Sequence, residues 1–355
     1  MDKRRSLTHH ATTREFASSF LQIIFLKVTM MPFAFTRRWA DAFQFDPNDG
    51  TVVVSPVGEG KGYWVGAPSV TTDPQDGSIY LVYRVRRPRG VEPDRGAEIH
   101  IIRSEDGISF EPVWTGHKAA LNTTSIERCA LAAQDDGSWV MYPSYVDPVD
   151  GRWRTDRISA ATPADFDFSK VEPILTAAGT NTEGVKDPFV FRLAGLWHMI
   201  VSYATAEGDA SAAEMHGTND AYNTGLIKSR TGLATSEDGL DWQWEGEIFG
   251  PSEAGWDCYC SRIGTVWRED GLWLGLYDGS ASVEENYEER VGLAYSSDLR
   301  HWHRVTRSGP LMHQPHASGA LRYFDVLDVG DRRLVYFETA RADGSHDLRV
   351  VDVSA

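Results

Sequence analysis

A seven-residue phrase, Ser-x-Asp-Gly-x-x-aromatic, recurs along the chain and constrains its fold more than any other feature. It reads Ser104-Glu105-Asp106-Gly107-Ile108-Ser109-Phe110 and again Ser236-Glu237-Asp238-Gly239-Leu240-Asp241-Trp242. A third copy, Ser296 to Trp302, has Leu299 in place of the glycine, and a degenerate copy runs from Thr162 to Phe168. The copies start about 58, 74 and 60 residues apart, and a near-constant period of this size is the mark of a repeat array. The phrase is turn chemistry. Asp accepts from amides just ahead of it, Gly takes positive φ, and the aromatic restarts a strand.

Around each copy the segments fall into three classes. The first holds small residues and buried polar groups: Gly66–Val70, Ser125–Leu131, Gly184–Phe191, Cys258–Gly264 and Ser318–Phe324. The second is aromatic and alternating: Ser78–Arg84, Ser138–Tyr145, Leu196–Tyr203, Leu272–Tyr277 and Arg333–Glu338. The third leads into the turn phrase: Glu98–Arg103, Arg157–Ala161, Gly232–Thr235 and Gly292–Tyr295, with His346–Val353 in that place for the last repeat. Repeats of this kind predict an all-β fold, a five-bladed β-propeller with four antiparallel strands per blade. The last repeat runs out of chain, and Thr51–Ser55 is expected to supply its outer strand, which removes two open edges. Residues 205–230 form the longest insertion, a loop over one face.

Residues 31–355 are expected to form a single domain, with 1–30 as an N-terminal extension. Lys3-Arg4-Arg5 before the apolar stretch Phe16–Leu26 imitates a signal peptide, but no small-x-small cleavage site follows and Lys27 interrupts the run. A formal net charge of −16 disfavours nucleic acid and anionic membranes as partners. Three cysteines without metal-ligand spacing suggest reduced thiols, hence a cytoplasmic setting, and no metal or cofactor is indicated. Cys258 and Cys260 flank one residue of a strand and should not pair.

In a propeller the first strand of each blade lines the axis, so polar residues at its start converge on one funnel. That places Glu127, Arg128, Lys186, Asp187, Asp257, Arg262 and Arg322 together, with Arg84 and Arg86 leaning in from a second strand. Ion pairs pinning blade to blade are the alternative reading of any one of them. Converging carboxylates in a cleft rich in Trp and Tyr suit glycosidic-bond cleavage, in which one acid protonates the leaving oxygen and a second carboxylate activates water or phosphate, or attacks directly. Glu127 is the expected general acid, with Asp187 and Asp257 as base and pKa-tuning partner in either order. Arg84, Arg128, Lys186, Arg262 and Arg322 are expected to hold carbohydrate hydroxyls or inorganic phosphate. His316, before the last first-class segment, is a weaker candidate for contacting sugar or a central ion.

The run Lys186-Asp187-Pro188-Phe189-Val190-Phe191, followed by Gly195-Leu196-Trp197, resembles the Asp-Pro-x-(Val/Ile)-Phe…Gly-x-Tyr/Trp pattern of the propeller glycosidases of families 43, 32 and 68. The order of elements over residues 60–350 is similar to family 130, the mannoside phosphorylases and related hydrolases. There Ala67–Arg84 resembles a first-blade pattern ending in Tyr-Arg, and Ile263–Gly279 one ending in Tyr-His-Gly. The resemblance implies a glycoside hydrolase, with a family-130-like phosphorylase or a non-catalytic glycan-binding propeller as alternatives. Two departures stand out. Ala67 occupies the place of the blade-one Asp of families 43 and 32, and Glu127-Arg128-Cys129-Ala130 stands where family 130 carries Glu-Asp-Pro-Arg.

Overall fold

A computed structural model describes residues 39–41 and 43–354. The expected extension over residues 1–30 lies outside them. The chain divides into two compact units, Met1–Gln44 and Phe45–Ala355. Of the first, the described residues show a helical turn at Trp39–Asp41.

The second unit is almost all strand. β1 (Thr51–Val54) precedes β2 (Trp64–Thr72), β3 (Ile79–Arg87), β4 (Arg95–Ser104) and β5 (Glu111–His117), and β2 to β5 pair in antiparallel succession. Next come β6 (Ala130–Ala133), β7 (Trp139–Tyr142), β8 (Ser144–Val146), β9 (Trp153–Ala160) and β10 (Glu172–Leu175). Here β7 and β8 pair successive parts of β9, split at Pro143, which has no amide to give the ladder. A third antiparallel run joins β11 (Val185–Leu193), β12 (Leu196–Ala206), β13 (Ile227–Ser236) and β14 (Gln243–Phe249). A fourth joins β15 (Cys260–Glu269), β16 (Leu272–Ser280), β17 (Arg290–Ser296) and β18 (Trp302–Arg304). The last is β19 (Leu321–Val329), β20 (Arg332–Ala340) and β21 (His346–Asp352), and β1 pairs antiparallel with β21 as the sequence pattern anticipates. Two of the junctions between runs carry a single parallel bridge, Trp64 with His346 and Ser229 with Cys260. Apolar clusters lie between runs: Ile99, Ile101, Met141 and Tyr145 share one, Phe189, Ile200, Ile263 and Tyr277 another.

The three well-formed turn phrases are built alike. Asp106 Oδ1 accepts from the amides of Ile108 and Ser109 at 2.8 Å, Asp238 Oδ1 from Leu240 and Asp241 at 2.8 and 2.9 Å, and Asp298 Oδ1 from Arg300 and His301 at 2.9 and 2.8 Å. The serine hydroxyl two residues earlier accepts the amide of residue four each time. Residue four is left-handed in every copy, with φ +74° at Gly107 and Gly239 and +65° at Leu299. Leu299 tolerates it because its side chain is buried with Phe189 and Trp273.

Residues 207–226, between β12 and β13, hold a short helix, Ala212–His216, closed by a Ser211/Glu214 capping box. No helix among the described residues is long and apolar enough to cross a membrane. All three cysteines are free, as their spacing implies.

Asp238→Ala deletes the acceptor of two backbone amides and should lower unfolding free energy by about 1 kcal/mol. Urea denaturation checks this. An unchanged midpoint would mean water replaces the carboxylate at no cost.

Candidate functional site

The first strand of four of the runs carries an irregularity near its start: Gly66/Ser69 in β2, Lys186/Phe189 in β11, Ile263/Thr265 in β15 and Arg322/Asp325 in β19. In three of them a non-glycine residue is left-handed, with φ +50° at Ala67, +58° at Asp187 and +52° at Tyr323. Such a backbone costs roughly 1–2 kcal/mol per residue, so side-chain bonds hold it. Ala67 N donates to Glu338 Oε2 at 3.2 Å, Asp187 N to Ser144 Oγ at 3.0 Å and Tyr323 N to Asp278 Oδ1 at 3.0 Å. The bulge turns the preceding residue inward, and each such residue faces a partner on the second strand. Gly66 pairs with Arg84, Lys186 with Ser202, Arg262 with Asp278 and Arg322 with Glu338.

These positions meet in one buried ion network. Glu127 Oε2 takes Arg84 at 2.5 Å, and its Oε1 takes Arg86 at 2.8 Å. Arg84 continues to Glu338 at 2.9 Å, Glu338 to Arg322 at 2.8 Å, Arg322 to Glu289 at 2.7 Å and Glu289 to Arg262 at 2.5 Å. His346 Nδ1 lies 2.8 Å from Glu338. Lys186 Nζ stands 3.3 Å from Asp187 Oδ2 and less than 5 Å from the ring centroids of Trp153 and Tyr222, at 4.9 and 4.7 Å. Tyr323 joins the two halves. Its hydroxyl donates to Asp187 Oδ2 at 3.4 Å, and Arg84, Arg262 and Arg322 lie over its ring.

The electrostatics separate the carboxyls. Burial alone would raise Glu127, but Arg84, Lys186, Arg86 and Arg322 outweigh it and bring it down to about 2. Burial likewise opposes, and Arg262 and Arg322 overcome, the shift that takes Glu289 down to about 2. Asp278 goes the other way. Burial pushes it up to about 7, Arg262 opposes, and neighbouring Glu289 adds to the rise. The distances explain the contrast, since Arg262 sits 2.5 Å from Glu289 but 3.8 Å from Asp278. The expected proton donor, Glu127, is therefore an ionised carboxylate at neutral pH, while Asp278 retains a proton over part of that range.

Of the expected site residues, Glu127, Asp187, Arg84, Lys186, Arg262 and Arg322 are brought together. Three are not. Arg128 gives its amide to Asp187 Oδ1 at 3.3 Å, but its side chain pairs with Asp325 at 3.0 Å and gives its other nitrogen to the Gly264 carbonyl at 2.5 Å, so it ties the segment ahead of β6 to β15 and β19 instead of facing a substrate. Asp257 accepts from Arg304 on β18 at 2.6 Å and from Tyr277 at 3.1 Å, which draws it into the body of its own run. His316 is exposed in the loop before β19. Asp278, Glu289 and Glu338 were not singled out by the sequence. Asp278 and Glu338 occupy the second-strand place that Arg84 marks, so comparing second strands position by position would have found them. Among the described residues no His, Cys, Asp and Glu cluster could hold a metal ion.

No family model and no curated protein sequence matches the chain. Solved structures do. A glycosyl hydrolase from Bacteroides ovatus superposes with a TM-score of 0.58 at 16% identity, over 87% of this chain and 93% of that one. A β-1,2-mannobiose phosphorylase from Listeria innocua gives 0.55 at 16% identity, over 87% and 96%. A family 43 enzyme from Xanthomonas citri gives 0.54 at 13% identity, over 85% and 90%. The fold is that of the β-propeller glycosidases.

Asp325→Ala should cost about 3–5 kcal/mol, because Arg128 is left buried without its counter-ion. Arg128→Met combined with Asp325→Leu should recover much of it in the same urea titration. The pH dependence also follows. Glu127 and Glu289, depressed from 4.5, contribute stability that is present above pH 4.5 and lost as pH falls toward 2. Asp278, raised from 3.8, acts oppositely, and its contribution weakens as pH rises toward 7. Unfolding free energy should therefore rise from pH 8 to about pH 5 and fall below 4.5, with the first limb flattened in Asp278→Asn.

Proposed function

We propose that the second unit is a five-bladed β-propeller, each blade of four strands and the last completed by β1, and that it hydrolyses a glycosidic bond of an oligo- or polysaccharide at its axis. One observation carries the reading. A single network beneath the starts of the first strands holds one carboxyl pushed up to about 7 and another pushed down to about 2. Carboxyls driven apart by their surroundings are what an acid and its ionised partner require. In this reading Asp278 gives its proton to the leaving oxygen, and Glu127 is the ionised partner facing the developing positive charge. Asp187, projected by its left-handed backbone and touched by Tyr323 and Lys186, positions or activates the attacking water. Lys186, Arg84 and Arg262 are the hydroxyl-binding cations. The glycan-active relatives in fold, among them the mannobiose phosphorylase, support the substrate class at this coarse level.

Ala67 favours a second reading. It sits fully buried at the strained position where the Asp of families 43 and 32 is expected, which suits a propeller that binds a glycan without cleaving it.

A panel of aryl glycosides and oligosaccharides, run with and without phosphate, separates the outcomes. Hydrolysis is expected in phosphate-free buffer. Asp278→Asn and Asp187→Asn should each lower kcat by about 100-fold or more with folding retained, and wild-type activity should fall as pH rises through about 7. A sugar 1-phosphate formed only with phosphate would make the protein a phosphorylase. Saturable binding without turnover would favour the second reading.

A further inference from the structure

The candidate site is closed. Glu127 is 1% exposed and Asp278 5%, so a glycan reaches them only after something moves. In an antiparallel meander the loop from the second to the third strand lies at the same end as the start of the first strand, so these loops surround the network. The longest, residues 207–226, carries Asp220, which is 1% exposed. Asp220 gathers groups from each of the neighbouring loops. Its Oδ2 accepts a hydrogen bond from the Tyr287 hydroxyl, on the loop between β16 and β17. Its Oδ1 accepts from Trp153 Nε1 at 3.2 Å, at the start of β9. Arg89 and Arg95, which flank the loop between β3 and β4, lie 3.7 and 3.6 Å away. The same two arginines donate to the carbonyls of Thr218 and Asn219 at 3.4 and 2.9 Å, so three consecutive residues of the long loop are held.

This roof touches the chemistry directly. Tyr222, two residues after Asp220, is fully buried with its ring 4.7 Å from Lys186 Nζ. Tyr287 is left-handed at φ +71°, and Arg86, which pairs with Glu127, lies 5.1 Å from its ring. A strained tyrosine reaching across to a buried carboxylate is an arrangement that releases strain on opening.

We infer that Asp220 is the clasp of a lid formed by residues 207–226 and the Tyr287 loop, and that its hold on Tyr287 sets how large a glycan can reach the axial carboxylates. The clasp is a specificity-determining element of the site described above, and the part of the inference that concerns glycans rests on that reading. Closed, the lid admits small glycosides during brief openings and disfavours long or branched chains.

Two variants test it. Tyr287→Phe keeps the ring over Arg86 and removes only the hydroxyl bond, while Asp220→Asn keeps the size and removes the charge. Hydrogen–deuterium exchange on the full-length protein should show amides of residues 212–226 exchanging about tenfold faster in both variants, with β12 and β13 unchanged. The ratio of kcat/KM for an oligosaccharide to that for the aryl glycoside of the same sugar should rise about tenfold. Wild-type exchange rates in both variants would overturn the clasp. Faster exchange with an unchanged substrate ratio would overturn its control of access. The exchange result stands whether or not the protein cleaves any glycoside, so failure of the catalytic reading and failure of the clasp are seen separately.

Discussion

The alternating ladder Glu127–Arg84–Glu338–Arg322–Glu289–Arg262 is the interaction on which the rest of the structure depends. Its members come from β3, β15, β19 and β20 and from the residues just ahead of β6 and β17. Adjacent strand runs also meet through apolar side chains, through two single parallel bridges and through separate polar contacts such as Tyr142 to the Gly239 carbonyl. Apolar contact is non-directional, so it presses the runs together without deciding how they are rotated against each other. A guanidinium with two carboxylates does decide, because its donors lie in a fixed fork. The ladder is a poor source of net stability, since each ion loses hydration on burial. What it supplies is position, and removing any one member strands a charge in the interior.

Deeper in the same region, Arg128 and Asp325 repeat the logic without any access to a substrate. Asp325, on β19, takes Arg128 at 3.0 Å, the Val70 amide at 2.9 Å and Thr265 at 3.2 Å, so β2, β15 and the segment just ahead of β6 all bond to one carboxylate. Burial nonetheless pushes Asp325 up to about 6. A raised carboxyl is thus not by itself a mark of catalysis here. Asp278 differs in its neighbours. It lies beside Glu289 and Tyr323, in the network that also contains Asp187 and Glu127, whereas the partners of Asp325 are structural.

The turn phrase made the repeat legible because its chemistry is local: an Asp, a Ser and a left-handed residue close it without help from the fold. The first-strand residues Glu127, Lys186, Asp187, Arg262 and Arg322 were legible for a related reason, since charge at the start of an apolar strand contradicts the pattern around it. Asp278 and Glu338 were harder to see. Each follows an aromatic residue at the far end of an apolar second strand, where a polar residue looks like the edge of a turn. Only the pairings of Arg262 with Asp278 and Arg322 with Glu338 give them their place. Asp257 misled in the opposite sense. It stands three residues before β15, near enough in sequence to seem axial, but Arg304 draws it back toward β18. Tertiary charge pairing, absent from any local pattern, decided all three.

Arg86 links the closed roof to Glu127. Its guanidinium lies over the adjoining rings of Trp64 and Tyr287, at 5.4 and 5.1 Å, and pairs with Glu127. Withdrawing Tyr287 removes one of the two rings that cover Arg86 and lets water reach the Arg86–Glu127 pair, which weakens the attraction by raising the local dielectric. The charge state of the axis and the state of the lid are then two readings of one equilibrium. Linkage requires the reverse effect to be equal: whatever binds Glu127 and loosens Arg86 from it must also shift the balance between Tyr287 held and Tyr287 free. A substrate that engages Glu127 would thereby help to open or close the roof above it, with no element beyond these side chains to carry the coupling.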